Sequence, residues 1–153
     1  MKKVFNHELI EIKIPANSTS TKFQIPDQQN LRNCLVTGVG AYYEEVCPIS
    51  ILSGLPLITQ AQTKSVFLTL QDYTGYEFIK QLPMVAIETI QGAGATLLND
   101  QDQKIIEPAL VNYPKSYISL SAPITLVNDV VVVFAVYYID QSHKRLTTFG
   151  NKN

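Results

Sequence analysis

The stretch Val130-Val-Val-Val-Phe-Ala-Val-Tyr-Tyr-Ile139 decides the fold of this chain. It is too short to cross a bilayer as a helix, which takes about 20 apolar residues. Nearly all of its residues are β-branched or aromatic, and such residues suit a pleated sheet and crowd a helix. Because no polar residue alternates with the apolar ones, neither face of the strand is expected to lie in water. The stretch therefore predicts a strand at the centre of a sandwich or barrel, or one buried against a neighbouring subunit.

Strand patterns separated by turn signals recur along the rest of the chain. Leu9–Ile14 alternates isoleucine with charged residues, which is typical of a strand with one face in water. Further strands are predicted at Thr21–Ile25, Leu35–Tyr43, Ser65–Leu70, Tyr76–Lys80, Met84–Ile90, Leu97–Leu98, Ile105–Tyr113, Tyr117–Leu120 and Ile124–Leu126. No segment shows a sustained helical period, and only Gln28–Arg32 suggests a short helical turn. This succession of short strands separated by turns predicts an all-β fold, an antiparallel eight-stranded jelly-roll sandwich.

Three local details sharpen this prediction. Gly38 and Gly40 lie two apart in one strand, where a bulge or a close backbone approach is expected. Pro108 cannot donate to a sheet ladder, so its strand is expected to lie at an edge or to be kinked. Asp72-Tyr-Thr-Gly75 predicts a turn that closes a hairpin. We divide the chain into an N-terminal arm (1–8), one jelly-roll domain (9–142) and a polar C-terminal tail (143–153).

The composition favours a chain with much of its surface in contacts. Of the 153 residues, 46 % are hydrophobic and only 16 % are charged, below the usual quarter. Burying charge is costly, so a surface of amides, hydroxyls and tyrosines suits a subunit packed against others, although a weakly charged monomer also fits. The formal net charge of −1 argues against a dedicated nucleic-acid binder.

The sequence predicts no enzyme and no metal site. His7 and His143 lie near opposite ends, so they cannot supply the histidine cluster of a metal-binding jelly roll. Cys34 and Cys47 lack metal-ligand spacing and are predicted to be buried thiols. If their strands are neighbours, the alternative is a disulfide between them. No nucleophile-elbow motif is present.

The acidic residues also give little indication of a catalytic or metal-binding site. Glu44 and Glu45 are adjacent, so on a strand they would point to opposite faces and would not act together. Asp100 and Asp102 sit in a polar turn that either is simply solvated or holds Ca²⁺. No cofactor is expected.

Both ends of the chain are basic and form the candidate partner-contact residues. These are Lys2, Lys3, Phe5, Lys144 and Arg145. If the termini lie together, they make a modest cationic patch that could touch nucleic acid or an anionic membrane; the alternative is a solvated tail. Polar residues from Asn6 onward interrupt any apolar segment after the basic start, so we expect no secretion signal and synthesis in a cytoplasm.

One stretch resembles a known family. Phe67-Leu-Thr-Leu70, Asp72, Gly75, Glu77-Phe-Ile79 and Leu82-Pro83 together resemble a segment of structural proteins from small icosahedral bacteriophages of Bacteroidetes-type hosts. Those phages build shells from double-jelly-roll major capsid proteins and fill the vertices with a smaller single-jelly-roll penton protein. The chain has about half the length of a double jelly roll, so the resemblance implies the penton, with no catalytic residues to carry over.

The resemblance sets the functional expectations. It implies a structural protein of the virion capsid, made in the host cytoplasm. Its partners would be identical subunits in a ring, expected to be a pentamer, the neighbouring major capsid protein and a spike protein. The basic termini would contact an internal membrane or the genome. The alternative, argued from exposed tyrosines such as Tyr73 and Tyr76, is a carbohydrate- or receptor-binding β-sandwich module such as a phage spike component.

Overall fold

The computed structural model describes residues 6–44, 54–87 and 104–140. Within them the chain forms an antiparallel β-sandwich of two four-stranded sheets. The strands are β1 (Asn6–Ile14), β2 (Lys22–Gln24), β3 (Cys34–Tyr42), β4 (Val66–Gln71), β5 (Glu77–Pro83), β6 (Lys104–Leu110), β7 (Tyr117–Leu120) and β8 (Val130–Asp140). A short α-helix, α1 (Gln60–Thr63), precedes β4, and 3-10 helices lie at Gln29–Leu31, Met84–Ala86 and Tyr113–Lys115.

The strand order is nested. One sheet has the order β1-β8-β3-β6 and the other has the order β2-β7-β4-β5. The first strand therefore pairs with the last, the second with the seventh, the third with the sixth and the fourth with the fifth, and every pair is antiparallel. The chain can be followed as one long hairpin, with β1 to β4 as one arm, β5 to β8 as the other and the reversal between β4 and β5. Successive strand pairs of this hairpin alternate between the sheets: the β1–β8 and β3–β6 pairs belong to one, and the β2–β7 and β4–β5 pairs to the other.

The decisive strand, β8, lies between β1 and β3, and the prediction of a central strand is confirmed. No residue from Val130 to Tyr137 is more than 7 % exposed. The even-numbered residues belong to the main core between the sheets. The odd-numbered residues form a second apolar cluster with Tyr42 and Leu57 on the other face of the sheet. Burial on both faces explains why the sequence shows no polar alternation.

The second cluster is covered by residues of the same chain. Leu57 pairs in parallel with Val131, where it continues the sheet beyond the end of β3. The Ile58 amide donates to the Val131 carbonyl and the Val131 amide donates to the Pro56 carbonyl, both at 3.0 Å. Leu55 packs against the same cluster. Of the two settings predicted for β8, the centre of a sandwich is therefore the one observed.

The first strand alternates as predicted, with Ile10, Ile12 and Ile14 buried in the core. It begins at Asn6, however, so residues 6–8 pair with β8 instead of belonging to an arm that ends at residue 8. The reason is backbone pairing: β8 continues to Asp140 and offers hydrogen-bond partners beyond the point where the alternation of β1 ends. Residues 1–5 and 141–153 lie outside the described residues.

Two other local predictions are confirmed, since the register of β3 shifts between Val36 and Gly38 and the strand with Pro108 lies at a sheet edge. Two predicted strands were wrong where the structure describes them, Met84–Ile90 over residues 84–87 and Ile124–Leu126 throughout. Residues 88–90 and the predicted strand Leu97–Leu98 lie outside the described residues. Met84 and Ile87 are buried three residues apart, a spacing that suits the observed 3-10 helix and not a strand. Residues 124–126 are irregular, and the Leu126 carbonyl there accepts a hydrogen bond from the Asn17 amide instead of a sheet partner.

Candidate ligand-binding cleft

An open cleft lies at the end of the sandwich where the β2–β3, β4–β5 and β6–β7 connections meet. Its volume is about 480 Å³, within the range of roughly 300–1,000 Å³ of small-ligand sites. The side chains that line this end cleft are Asp27, Arg32, Asn33, Tyr73, Leu110, Asn112 and Pro114. One aromatic ring, two carboxamides and one ion pair thus converge from segments far apart in sequence.

The β2–β3 connection supplies the ion pair. Arg32 Nη2 donates to Asp27 Oδ2 at 2.8 Å, and this hydrogen bond raises the pKa of the Arg32 guanidinium above its ordinary value. The 3-10 helix between them brings the two side chains together, and the buried Leu31 anchors that helix in the core. Because both partners are exposed to solvent, the pair contributes little to stability. The pair places a carboxylate and a guanidinium side by side at the cleft.

The β4–β5 turn supplies the aromatic ring, and Asp72 orders that turn. Asp72 Oδ1 accepts hydrogen bonds from the Thr74 amide (2.8 Å), the Thr74 hydroxyl (2.6 Å) and the Tyr76 amide (3.0 Å). These bonds, led by the Thr74 hydroxyl, lower the pKa of the Asp72 carboxyl below its ordinary value. Gly75 has a φ of 87°, which other residues adopt only with strain. The turn therefore holds Tyr73 at the cleft, where this residue is 56 % exposed.

The β6–β7 connection supplies Asn112, which is tied to the base of the same turn. The Asn112 amide donates to the Gln71 carbonyl (2.8 Å), and the Gln71 amide donates to Ser116 Oγ (3.0 Å). Ser116 Oγ in turn donates to the Asn112 carbonyl (2.9 Å) and is fully buried. This closed set of hydrogen bonds fixes Asn112 relative to Tyr73. Across the described residues, the carboxamides of Asn112 and Asn33 make no hydrogen bond, so both can face a ligand.

The residue after Asn112 points the opposite way. Tyr113 is only 1 % exposed, and its hydroxyl is a buried atom with no hydrogen-bond partner within residues 6–44, 54–87 and 104–140. Burial raises the pKa of this hydroxyl above its ordinary value. The thiol of Cys34, also buried, donates to the Asn30 carbonyl at 3.7 Å and contributes to the same rise in pKa. Tyr113 and Cys34 therefore form the core beneath the cleft and do not line it.

The structure does not describe the candidate partner-contact residues chosen from the sequence. Lys2, Lys3, Phe5, Lys144 and Arg145 all lie outside the described residues. Of the alternative pair, Tyr73 lines the cleft, whereas Tyr76 is exposed beside it.

The structure describes only some of the histidine, cysteine and acidic residues weighed for chemistry. His7 is exposed, with its ring 6.1 Å from that of Tyr137. Glu44 accepts a hydrogen bond from the Leu57 amide at 2.7 Å. His143, Cys47, Glu45, Asp100 and Asp102 are outside the described ranges. In residues 6–44, 54–87 and 104–140, no three His, Cys, Asp or Glu residues are grouped closely enough to hold a metal ion. The same ranges contain no helix that is both long and apolar enough to cross a membrane.

Sequence reasoning found the tyrosine of the cleft and missed its polar residues. Asp27 and Asn33 stand in predicted connections, and Asn112 lies near the end of the predicted strand Ile105–Tyr113, so nothing in their spacing indicates that they meet. The one local signal is the concentration of Asp, Asn and Pro residues in the connections that end up at one end of the sandwich. Comparison with protein-family models, with curated proteins and with solved structures gave no match.

Proposed function

We propose that the chain is a jelly roll and that it serves as a structural subunit of a viral capsid, the penton protein of the icosahedral vertices. The nested strand order carries this proposal. A jelly roll consists of eight strands in two sheets that are built from two Greek keys. Pairing of the first strand with the last, and of each inner pair in turn, is what results when one long hairpin wraps into such a sandwich.

The proposed role is non-catalytic and depends on contacts between copies. A ring closes only through a heterologous contact, in which two different patches of the subunit meet. The low charge content supplies surface that is inexpensive to desolvate. Identical subunits would form a pentamer that contacts the major capsid protein and a spike protein. The basic ends of the chain would reach an internal membrane or the genome, which places the protein in the virion after synthesis in the host cytoplasm.

The oligomeric state tests this proposal. Native mass spectrometry and light scattering of the full chain should give a closed ring, with five subunits expected. A second arm should remove residues 1–5, which precede β1, and should leave the sandwich folded while weakening incorporation into particles. A strictly monomeric protein that does not enter particles would contradict the capsid role.

The end cleft favours a second candidate function, a carbohydrate- or receptor-binding module such as a phage spike component. The observation behind it is the convergence of an exposed aromatic ring with carboxamides and an ion pair in one cleft. Small-ligand sites combine an apolar surface with a few placed polar groups in this way. A monomer that binds a saccharide would support this candidate over the capsid subunit, and a ring without any such binding would support the reverse.

A further inference from the structure

We infer that the end cleft binds a neutral saccharide, whose ring stacks on Tyr73 while its hydroxyls bond the carboxamides of Asn33 and Asn112. This inference rests on the second of the two proposed functions, ligand binding, and holds whether or not the chain also forms a ring. It names the ligand class that the cleft is built to accept and the residue on which binding depends most.

The aromatic wall is the first reason. Tyr73 is exposed although it lines a cleft, so its ring presents an apolar face that the protein itself does not cover. The C–H faces of a sugar ring are apolar while its edges carry hydroxyls, and an aromatic face beside polar groups matches both at once. Leu110 and Pro114 add further apolar surface to the cleft without adding charge.

The polar groups are the second reason. A carboxamide both donates and accepts hydrogen bonds, as a hydroxyl does, so Asn33 and Asn112 suit a ligand rich in hydroxyl groups. The Asp27–Arg32 bond joins one guanidinium nitrogen to one carboxylate oxygen, which leaves further donors and acceptors of the pair for the ligand. The lining residues carry one negative and one positive charge, and these are already paired. The cleft thus offers no net charge to an acidic ligand, which is why a neutral sugar is inferred.

The third reason is that the walls are fixed before any ligand arrives. Asp72 orders the turn that carries Tyr73, and the Gln71–Ser116–Asn112 hydrogen bonds hold Asn112 against the base of that turn. A site that is already ordered loses less conformational entropy on binding. The bonds that order it use backbone groups of Asn112 and leave its carboxamide for the ligand.

The chain offers a matched pair of variants for the test. Tyr73 and Tyr76 stand on the same turn and are both exposed, but only Tyr73 lines the cleft. Tyr73→Ala and Tyr76→Ala should be compared with the full-length protein by saturation-transfer NMR and calorimetry. The probes are the methyl glycosides of glucose, galactose, mannose and N-acetylglucosamine, with glucuronic acid and N-acetylneuraminic acid as the acidic arm. Thermal unfolding of each variant should confirm that it is folded.

At least one neutral glycoside should bind. Tyr73→Ala should weaken it about tenfold or more, whereas Tyr76→Ala should change its affinity less than about twofold. Asn112→Ala should weaken binding by a similar factor without lowering the unfolding temperature, since the carboxamide makes no bond within the described residues.

Each other outcome counts against the inference in a distinct way. Binding of the acidic sugars alone would overturn the neutral ligand class and would leave the binding module standing. Binding of none of the probes would overturn the inference and the carbohydrate-binding form of that second function. Equal losses in the two tyrosine variants, or no loss in Tyr73→Ala, would show that the sugar does not stack on Tyr73. The oligomeric state of the chain is measured separately and decides only the capsid role.

Discussion

In the centre of β8 every side chain from Val130 to Tyr137 is buried, whereas in the turn after β4 both tyrosines are exposed and hydrogen bonds to Asp72 order the chain. The first region is held by the removal of apolar surface from water, on both faces of one strand. The second is held by hydrogen bonds at the surface, three of them to the Asp72 carboxylate and two between backbone groups of the turn. The difference implies that changes in β8 should affect folding, while changes around the turn should affect the shape of the cleft and leave the sandwich folded.

The largest effect is expected from Phe134→Ala. Phe134 lies in the core between the sheets at 2 % exposure, so its removal leaves a cavity as well as losing apolar burial. The free energy of unfolding should fall by about 3–5 kcal/mol, measured by urea denaturation. Tyr73→Ala removes a ring of similar size from the turn and should cost less than about 1 kcal/mol, because that ring is exposed. Similar losses in the two variants would break the comparison.

A smaller effect should show whether the two faces of β8 are equally buried. Val132 faces the main core and Val133 faces the second cluster, and both are fully buried. Replacing either one with Ala should lower the free energy of unfolding by about 2 kcal/mol, the value of the lost methyl groups with their cavity. Val127→Ala is the matched control, since Val127 is 84 % exposed and its change should be near zero.

The Val133 variant carries the sharper consequence. If the second cluster depended on a neighbouring subunit, Val133→Ala would leave the stability of a dissociated chain unchanged and would weaken only the assembled form. The closure of the cluster by Leu55 and Leu57 predicts the opposite, a loss of stability that does not depend on protein concentration.

Sequence and structure agree most closely where a single local residue pattern is enough to determine the secondary structure. Val130–Ile139 has only β-forming residues, and the strand lies where its unbroken apolar character requires. Met84–Ile90 is mostly apolar but shows no strict alternation of apolar and polar residues. Its local pattern therefore did not separate a strand from the observed 3-10 helix Met84–Ala86, which, with the following Ile87, buries Met84 and Ile87 three residues apart. The polar residues of the cleft were missed for a different reason. Asp27, Asn33 and Asn112 meet only because the nested strand order brings three connections to one end, and no local pattern encodes that order.

Tyr113 combines features of both regions, since it is buried like β8 and carries a polar group like the cleft above it. Its hydroxyl has no hydrogen-bond partner among the residues that the structure describes, and a buried group without a partner costs free energy. Tyr113→Phe keeps the ring and removes the hydroxyl, so the free energy of unfolding should rise by about 1 kcal/mol. Tyr76→Phe, at an exposed position, should change nothing. A clear loss of stability in Tyr113→Phe would reveal that the hydroxyl is bonded, for example to a buried water.

The smallest expected effect is on the pH dependence of the free energy of unfolding, and it distinguishes the contributions of the two ends of the sandwich. Asp72 orders the turn at the cleft end. Asp129, at the opposite end, accepts a hydrogen bond from the Ala16 amide at 2.7 Å and pairs with Lys13 at 3.1 Å. Both carboxyls have a lowered pKa, Asp72 chiefly through Thr74 and Asp129 chiefly through the Ala16 amide. A group of this kind binds its proton more weakly in the folded chain than in the unfolded one, where the pKa is about 3.9. Its contribution to the free energy of unfolding is therefore complete above that unfolded-state pKa and is lost as the pH falls through the pKa of the folded chain.

Asp72→Asn and Asp129→Asn separate these contributions, because an amide of the same shape still accepts a hydrogen bond but does not titrate. Each variant should remove part of the decline in unfolding free energy between about pH 5 and pH 2, and the double variant should remove the sum, since the two sites are far apart. Carboxyl NMR titration of the unaltered chain should show both aspartates titrating below their ordinary range. Only Asp72→Asn should also accelerate hydrogen exchange at the Thr74 and Tyr76 amides and weaken sugar binding. If Asp129→Asn weakens sugar binding as strongly, the cleft responds to the stability of the whole sandwich, and the turn is not the independent element that its hydrogen bonds indicate.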